Sequence, residues 1–234
     1  MIKLKVLLLA FSITILSVSH FAQSKNPDTI LENVKRKFQE VNDYQVDVKV
    51  KVDVNFLKVP ETEAKIYYKQ PDKIHFESKN FALLPKEGLN FSPMAFLKND
   101  YTAIYEKDEL LDGVNTSIVK IIPGGESSNL ILSTLWIDQK KNVIRKVQST
   151  TKNSGTFTIE MNYDQIIKYP LPSSMIFSFN VEKMNLPRTF DSDPKRKSTL
   201  EDKGKTTTGK VYITYSNYLI NKGIPDSVFE QKEK

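Results

Sequence analysis

The sequence predicts an α+β protein that is mainly β, one antiparallel sheet of about nine strands with a single amphipathic helix against it. Three observations predict this. Ile30, Leu31, Val34, Phe38 and Val41 recur at helical spacing, opposite Glu32, Lys35, Arg36 and Glu40. At Tyr44 the period drops to two: Tyr44, Val46, Val48, Val50, Val52, Val54 and Phe56 alternate with Gln45, Asp47, Lys49, Lys51, Asp53 and Asn55. Further on, short alternating runs follow one another across short turns, which pairs sequential neighbours antiparallel.

The N-terminus carries Lys3 and Lys5, an apolar run from Val6 to Val18, and then Ser19-His20-Phe21-Ala22-Gln23. A positive start, a short apolar core and a small residue before a polar exit describe a secretory signal peptide over residues 1–22, cleaved after Ala22. Residues 23–234 then form a single domain. Losing Lys3 and Lys5 lowers the formal charge from +6 to +4. No lysine or arginine cluster is interleaved with aromatics on one element, which leaves nucleic-acid binding with little support, and no nucleic-acid partner is expected. The absence of cysteine leaves an exported chain without disulfides and without an acylation site, so the expectation is a protein held by its core and soluble in its compartment.

In order, Asn26-Pro27-Asp28-Thr29 opens the helix, with a capping residue, a proline suited to the first turn, and Thr29 with Glu32 as a capping box. The strand from Tyr44, about a dozen residues at ~3.3 Å each, would run roughly 40 Å, a length that suits a coiled sheet or barrel. Pro60 to Glu63 turns the chain back into Ala64–Ser78, a strand interrupted at Pro71. Proline cannot donate to a ladder, so this run is kinked or paired. Further strands fall at Asp100–Glu106, Thr116–Ile122, Leu130–Asp138, Val143–Thr151, Thr156–Tyr163, Ser173–Met184 and Gly209–Ile220. Gln139 to Asn142 and Asn153 to Gly155 make turns between them.

Two segments break the rhythm. Asn185–Thr208 is polar, charged with both signs and without periodicity, which predicts a mobile loop. Phe81–Leu97 has neither period, yet its apolar side chains are too many for an exposed loop; they pack into the core, cover a cavity or meet another surface.

Chemistry is sparse. The mature chain has one histidine, His75, on the polar face of a strand, and no cysteine, so a zinc site lacks a second ligand. Glu61 with Glu63 and Asp191 with Asp193 sit in turn or loop sequence, where solvated charges are usual, and Gly124-Gly125 lacks the lysine and helix of a phosphate loop. Neither a catalytic constellation nor a cofactor is expected, and the reading is a non-enzyme. A single sheet of this size cannot leave its apolar face in water; it must curl around something, and one helix fills the space only partly.

The pattern resembles the periplasmic lipoprotein carriers LolA and LolB and their RseB/MucB relatives. The likeness rests on the signal peptide, the amphipathic helix, the long alternating strand and the step Tyr68-Lys69-Gln70-Pro71 followed by Ile74-His75-Phe76. Later elements correspond in order: Val119 to Pro123, Leu135-Trp136-Ile137-Asp138 with its hairpin into Val143 to Val147, and Phe157 to Tyr163. The ending, with Ile224-Pro225-Asp226-Ser227-Val228-Phe229, is similar to tails of outer-membrane lipoprotein-sorting proteins.

The resemblance implies an unclosed antiparallel barrel with a lid over an apolar cavity for acyl chains. Val46, Val48, Val50, Val52, Ile66, Tyr68, Ile74 and Phe76 would line the cavity, and Phe81, Leu84, Phe91 and Phe96 would belong to the lid. It implies a periplasmic monomer with acylated lipoproteins or lipid as ligands, released from an inner-membrane complex and handed to an outer-membrane acceptor. One departure matters. Where LolA has an arginine before the proline that ties the lid shut, this chain has Gln70, whose amide can hydrogen-bond the lid only without charge assistance. The alternatives are an RseB-like sensor that regulates a membrane partner, for which this chain looks short of a second domain, and a general binder of small apolar molecules.

Overall fold

The computed structural model describes residues 25–54, 60–78, 93–97, 100–125, 129–152, 155–164, 168–180 and 208–230. The signal peptide, Phe81, Leu84, Phe91 and, apart from Thr208, the polar loop Asn185–Thr208 lie outside the described residues.

Helix α1 spans Pro27–Gln39. Its cap is Asn26, whose Oδ1 accepts the N–H groups of Asp28 (2.9 Å) and Thr29 (3.3 Å). This corrects the expected Thr29–Glu32 capping box: proline at the first helical position puts the cap one residue before it. A helix of 13 residues is marginal alone. Its docking comes from Ile30, Leu31, Val34 and Phe38, all buried. At about 1.5–3 kcal/mol for each large apolar side chain, that stripe supplies most of what holds the helix down.

The strands are β1 (Asp43–Asp53), β2 (Thr62–Lys69), β3 (Lys73–Glu77), β4 (Tyr101–Leu111), β5 (Val114–Pro123), β6 (Leu130–Asp138), β7 (Val143–Thr151), β8 (Thr156–Asn162), β9 (Ser174–Asn180) and β10 (Thr208–Ile220). A 3-10 turn, Pro93–Leu97, lies between β3 and β4, and another, Asp226–Val228, follows β10. All ten strands form one sheet in the order β3-β2-β1-β10-β9-β8-β7-β6-β5-β4. Every adjacent pair is antiparallel. β3 and β4 end the order and do not pair with each other, so the barrel is unclosed, as expected.

The Ala64–Ser78 run is paired with itself. Around Gln70–Asp72 it folds into the β2–β3 hairpin, with Ile66 opposite Phe76 and Tyr68 opposite Ile74. The strand expected at Asp100–Glu106 extends to Leu111, because a bulge between Tyr105 and Lys107 breaks the alternation without ending the ladder. The β4–β5 turn is then made by Asp112 (φ +48°) and Gly113 (φ +79°), the left-handed pair that suits a tight hairpin.

The core fills the concave side of the sheet. Val46, Val50, Leu135, Ile137, Ile144, Ile159, Met175 and Ile213 point into it and meet Leu31 and Val34 of α1. Buried Asp43 ties the two ends of the described fold together: its carboxylate accepts the backbone N–H groups of Lys222 (3.0 Å) and Gly223 (3.1 Å). Asn221, in the left-handed region at φ +55°, accepts from the N–H of Asn42 (2.7 Å) and donates to the carbonyl of Glu40 (2.8 Å). The segment that follows α1 is therefore fixed to the end of β10.

Candidate functional site

The alternation of β1, β2 and β3 sets their apolar residues in rows across the concave face, Val46–Ile66–Phe76 in one and Tyr44–Tyr68–Ile74 in the next. The structure thus brings the residues expected around the cavity onto one surface, at two depths. Val46, Val48, Val50, Ile66 and Tyr68 are buried in the packed core, while Val52, Ile74 and Phe76 are half-buried. Of the expected lid residues, Phe96 lies in the 3-10 turn Pro93–Leu97, half-buried against the core, and the turn packs on α1.

One group of half-buried apolar side chains comes from the two edges where the sheet fails to close and from the turn between them. Ile74 and Phe76 come from edge strand β3, Met94 and Phe96 from the connecting turn, and Tyr101, Ala103 and Tyr105 from the opposite edge β4. Apolar surface that is neither fully packed nor fully exposed, along an open seam, is where a flexible chain could enter.

Gln70 holds the helix end beside this seam. Its side-chain Nε2 donates to the carbonyls of Gln39 (3.1 Å) and Val41 (2.8 Å), and its backbone N–H donates to Asn42 (2.8 Å). The position expected to latch the lid therefore grips the C-terminal end of α1. The neighbouring lysines hold the other flank: Lys69 donates to the carbonyl of Ile224 (2.9 Å) and to Asp226 (2.9 Å), and Lys73 also reaches Asp226 (3.0 Å). Hydrogen bonds from Lys69 and Lys73 keep the Asp226 carboxyl below its ordinary range.

A group of tyrosines packs inside the half-barrel, of which sequence reasoning placed Tyr44, Tyr68 and Tyr163 on apolar faces and missed Tyr215 and Tyr218. The ring of Phe38 meets Tyr68 edge-on, Tyr68 stacks on Tyr44 at 5.1 Å, Tyr44 meets Tyr218 at 5.9 Å, and Tyr218 stacks on Tyr215 at 6.2 Å. Tyr215 and Tyr218 both turn inward because the ladder slips between Gln45 and Asp47, opposite Asn217 at φ +55°. Tyr163 donates to the carbonyl of Ile144 (2.8 Å) and Tyr218 to that of Pro172 (2.8 Å). Burial pushes the hydroxyls of Tyr44, Tyr163, Tyr215 and Tyr218 well above the ordinary tyrosine value. The hydroxyls of Tyr44 and Tyr215 have no hydrogen-bond partner among the described residues, yet both side chains keep some accessible surface and no buried polar atom is left unsatisfied. The signal that could have found Tyr215 and Tyr218 is tyrosine recurring along β10.

A groove of about 1000 Å³ lies on the other face of β1 and β2. Asp47, Lys49, Glu61 and Lys65 line it and pair with one another, Lys49 with Glu61 at 2.7 Å and Lys65 with Asp47 at 3.7 Å. Such a wall of solvated ion pairs is unsuited to an acyl chain. His75 is half-buried beside Tyr67, and no cluster of three metal-ligating side chains occurs among the described residues.

The molecule is thus an open antiparallel half-barrel whose apolar concave face lies under one helix. No protein-family model matches the sequence, and no curated protein matches it. Solved structures do share the fold. A DUF1329 family protein from Desulfovibrio piger aligns at a TM-score of 0.58 with 14% identity, over 88% of this chain and 98% of that one. A LolA superfamily protein from Nitrosomonas europaea aligns at 0.52 with 13% identity, over 88% and 97%. An outer-membrane lipoprotein-sorting protein domain from Vibrio parahaemolyticus aligns at 0.52 with 12% identity, over 87% and 97%. The chain has the LolA-like fold. No helix among the described residues is long and apolar enough to cross a membrane.

Proposed function

We propose that this protein is a periplasmic carrier that takes the acyl chains of lipoproteins, or of similar lipidated ligands, into its half-barrel and moves them toward the outer membrane. The observation that carries the reading is the unclosed seam, where Ile74, Phe76, Met94, Phe96 and Tyr101 stand half-buried between the two unpaired edges of an otherwise apolar concave face. Val46, Val48, Val50, Val52, Ile66 and Tyr68 continue that surface inward. With α1 in place they are largely packed, so loading requires the helix and the Pro93–Leu97 turn to move off the sheet. The thermodynamic need is plain: at ~0.8 kcal/mol per buried methylene, one long acyl chain carries on the order of 10 kcal/mol of unfavourable exposure in water. Gln70 is the latch of the closed form, and the fold shared with a lipoprotein-sorting domain agrees with this use. An inner-membrane release complex and an outer-membrane acceptor would be the partners of a monomeric carrier.

Native mass spectrometry of the mature protein mixed with a palmitoylated peptide tests the proposal. A one-to-one complex, lost when the peptide lacks its acyl chain, is the expected result. A protein that stays empty and also leaves a neutral hydrophobic dye in water would end the reading.

A further inference from the structure

A second cleft, about 470 Å³, opens beside the C-terminal half of α1. Three separate parts of the chain bring cations to it: Arg36 and Lys37 from α1, Lys140 and Lys141 from the β6–β7 turn, and Lys168 from the β8–β9 connection. Only Glu40 and Asp164 oppose them on its walls, and Glu40 is taken by Lys37 at 2.7 Å. Arg36 is held by the side-chain oxygen of Asn33 at 2.7 Å. Among the described residues Arg36, Lys140, Lys141 and Lys168 have no ion-pair partner.

A helix C-terminus attracts nearby cations, which accounts for Arg36 and Lys37. It does not account for lysines from two other elements. The turn that presents Lys140 and Lys141 is rigid: Asp138 Oδ1 accepts both of their backbone N–H groups (3.0 and 3.1 Å), while Arg145 holds Oδ2 through Nε (3.2 Å) and Nη2 (3.1 Å). Like charges gathered around a half-open space repel one another, and an anion placed among them removes that repulsion. The cleft also touches the interior. Tyr163 and Tyr169 line it and at the same time pack against the apolar core. An amphiphile with its chains on the concave face would have this cleft within reach of its head.

We infer that this cleft binds the phosphate of a lipid headgroup whose acyl chains lie in the half-barrel, an inference that rests on the acyl-chain reading above. The shared chemistry is a phosphate monoester or diester, met by lysine and arginine donors.

The test is displacement of neutral Nile red from the mature protein by dioleoylphosphatidic acid, by dioleoylglycerol, which has the same chains without the phosphate, and by inorganic phosphate alone. The wild type should prefer the phosphatidic acid about tenfold, the worth of a charge-assisted hydrogen bond in a half-open site. The triple variant Lys140→Gln, Lys141→Gln, Lys168→Gln should lower that preference to about one while leaving dioleoylglycerol binding unchanged. The corresponding triple arginine variant should keep it. Inorganic phosphate in excess should erode the preference without releasing the dye. Equal displacement by the two lipids in the wild type, or a preference that survives the glutamine variant, overturns the headgroup site and leaves the acyl-chain reading standing. Displacement by neither lipid overturns both, including the case in which inorganic phosphate alone binds.

Discussion

Replacing Gln70 with alanine removes both side-chain bonds to the end of α1, those to the carbonyls of Gln39 (3.1 Å) and Val41 (2.8 Å), and leaves the backbone bond to Asn42 in place. Gln39 is exposed and its carbonyl can turn to water, whereas Val41 is fully buried, so the second bond matters more. Neutral hydrogen bonds contribute about 0.5–1.5 kcal/mol each, which makes the pair worth about 1–2 kcal/mol. If ligand enters only when the helix lifts, that loss shifts the closed–open balance by a factor of about 5–30 and tightens apparent affinity by the same factor. Calorimetric titration with a palmitoylated peptide, beside thermal melts, reads both quantities. The expected variant melts slightly lower and binds more tightly, and Gln70→Arg, with charge-assisted bonds to the same carbonyls, binds more weakly. A Gln70→Ala protein that melts lower and binds no more tightly would show that helix lifting does not limit loading, and would refute the latch.

Asp138→Ala removes the partner of Arg145 and the acceptor of two turn N–H groups at a position only 3% exposed. Leaving a half-buried guanidinium unpaired should cost about 3 kcal/mol, a fall of about 6–12 °C in Tm measured by calorimetry. The interior tyrosines predict an alkaline transition. Because burial raises the folded-state pKa of Tyr44, Tyr163, Tyr215 and Tyr218, their contribution to stability is complete below the unfolded value of about 10 and is lost as pH climbs toward the folded values. An ultraviolet ionisation titration should therefore show part of the chain's ten tyrosines ionising only as circular dichroism collapses, and a single early step in a still-folded protein would contradict their burial.

Much of this architecture could be read from periodicity. Helix α1, the long strand β1 and the β6–β7 hairpin followed from apolar spacing, because each packs one face against a single core. Reading failed where regularity is interrupted on purpose. The bulge at Tyr105–Lys107 hid the second half of β4, although Asp112-Gly113 is a strong hairpin signal. The slip opposite Asn217 hid the fact that Tyr215 and Tyr218, three residues apart, face the same way. Gln70 stood out from sequence, but not its acceptors, since Gln39 and Val41 contribute carbonyls and a main-chain oxygen carries no residue signature. The cationic cleft had no local signal at all: its members are drawn from three parts of the chain, and only the fold assembles them.

The pairing of β1 with β10 has a consequence for how the chain folds. Tyr44 lies opposite Ile220, so the first strand of the sheet finds one of its two neighbours only when the last strand is available. Closing so long a loop is slow, and contacts of this span form late in folding. β4 through β9 form an uninterrupted meander of sequential neighbours that can assemble by local steps, whereas β1, β2 and β3 must wait for β10 to join them to it. Until then the valines of β1 lack half of their sheet. Ligation of the two halves is thus a long-range event, and the concave face becomes a single surface only once the end of the chain has arrived.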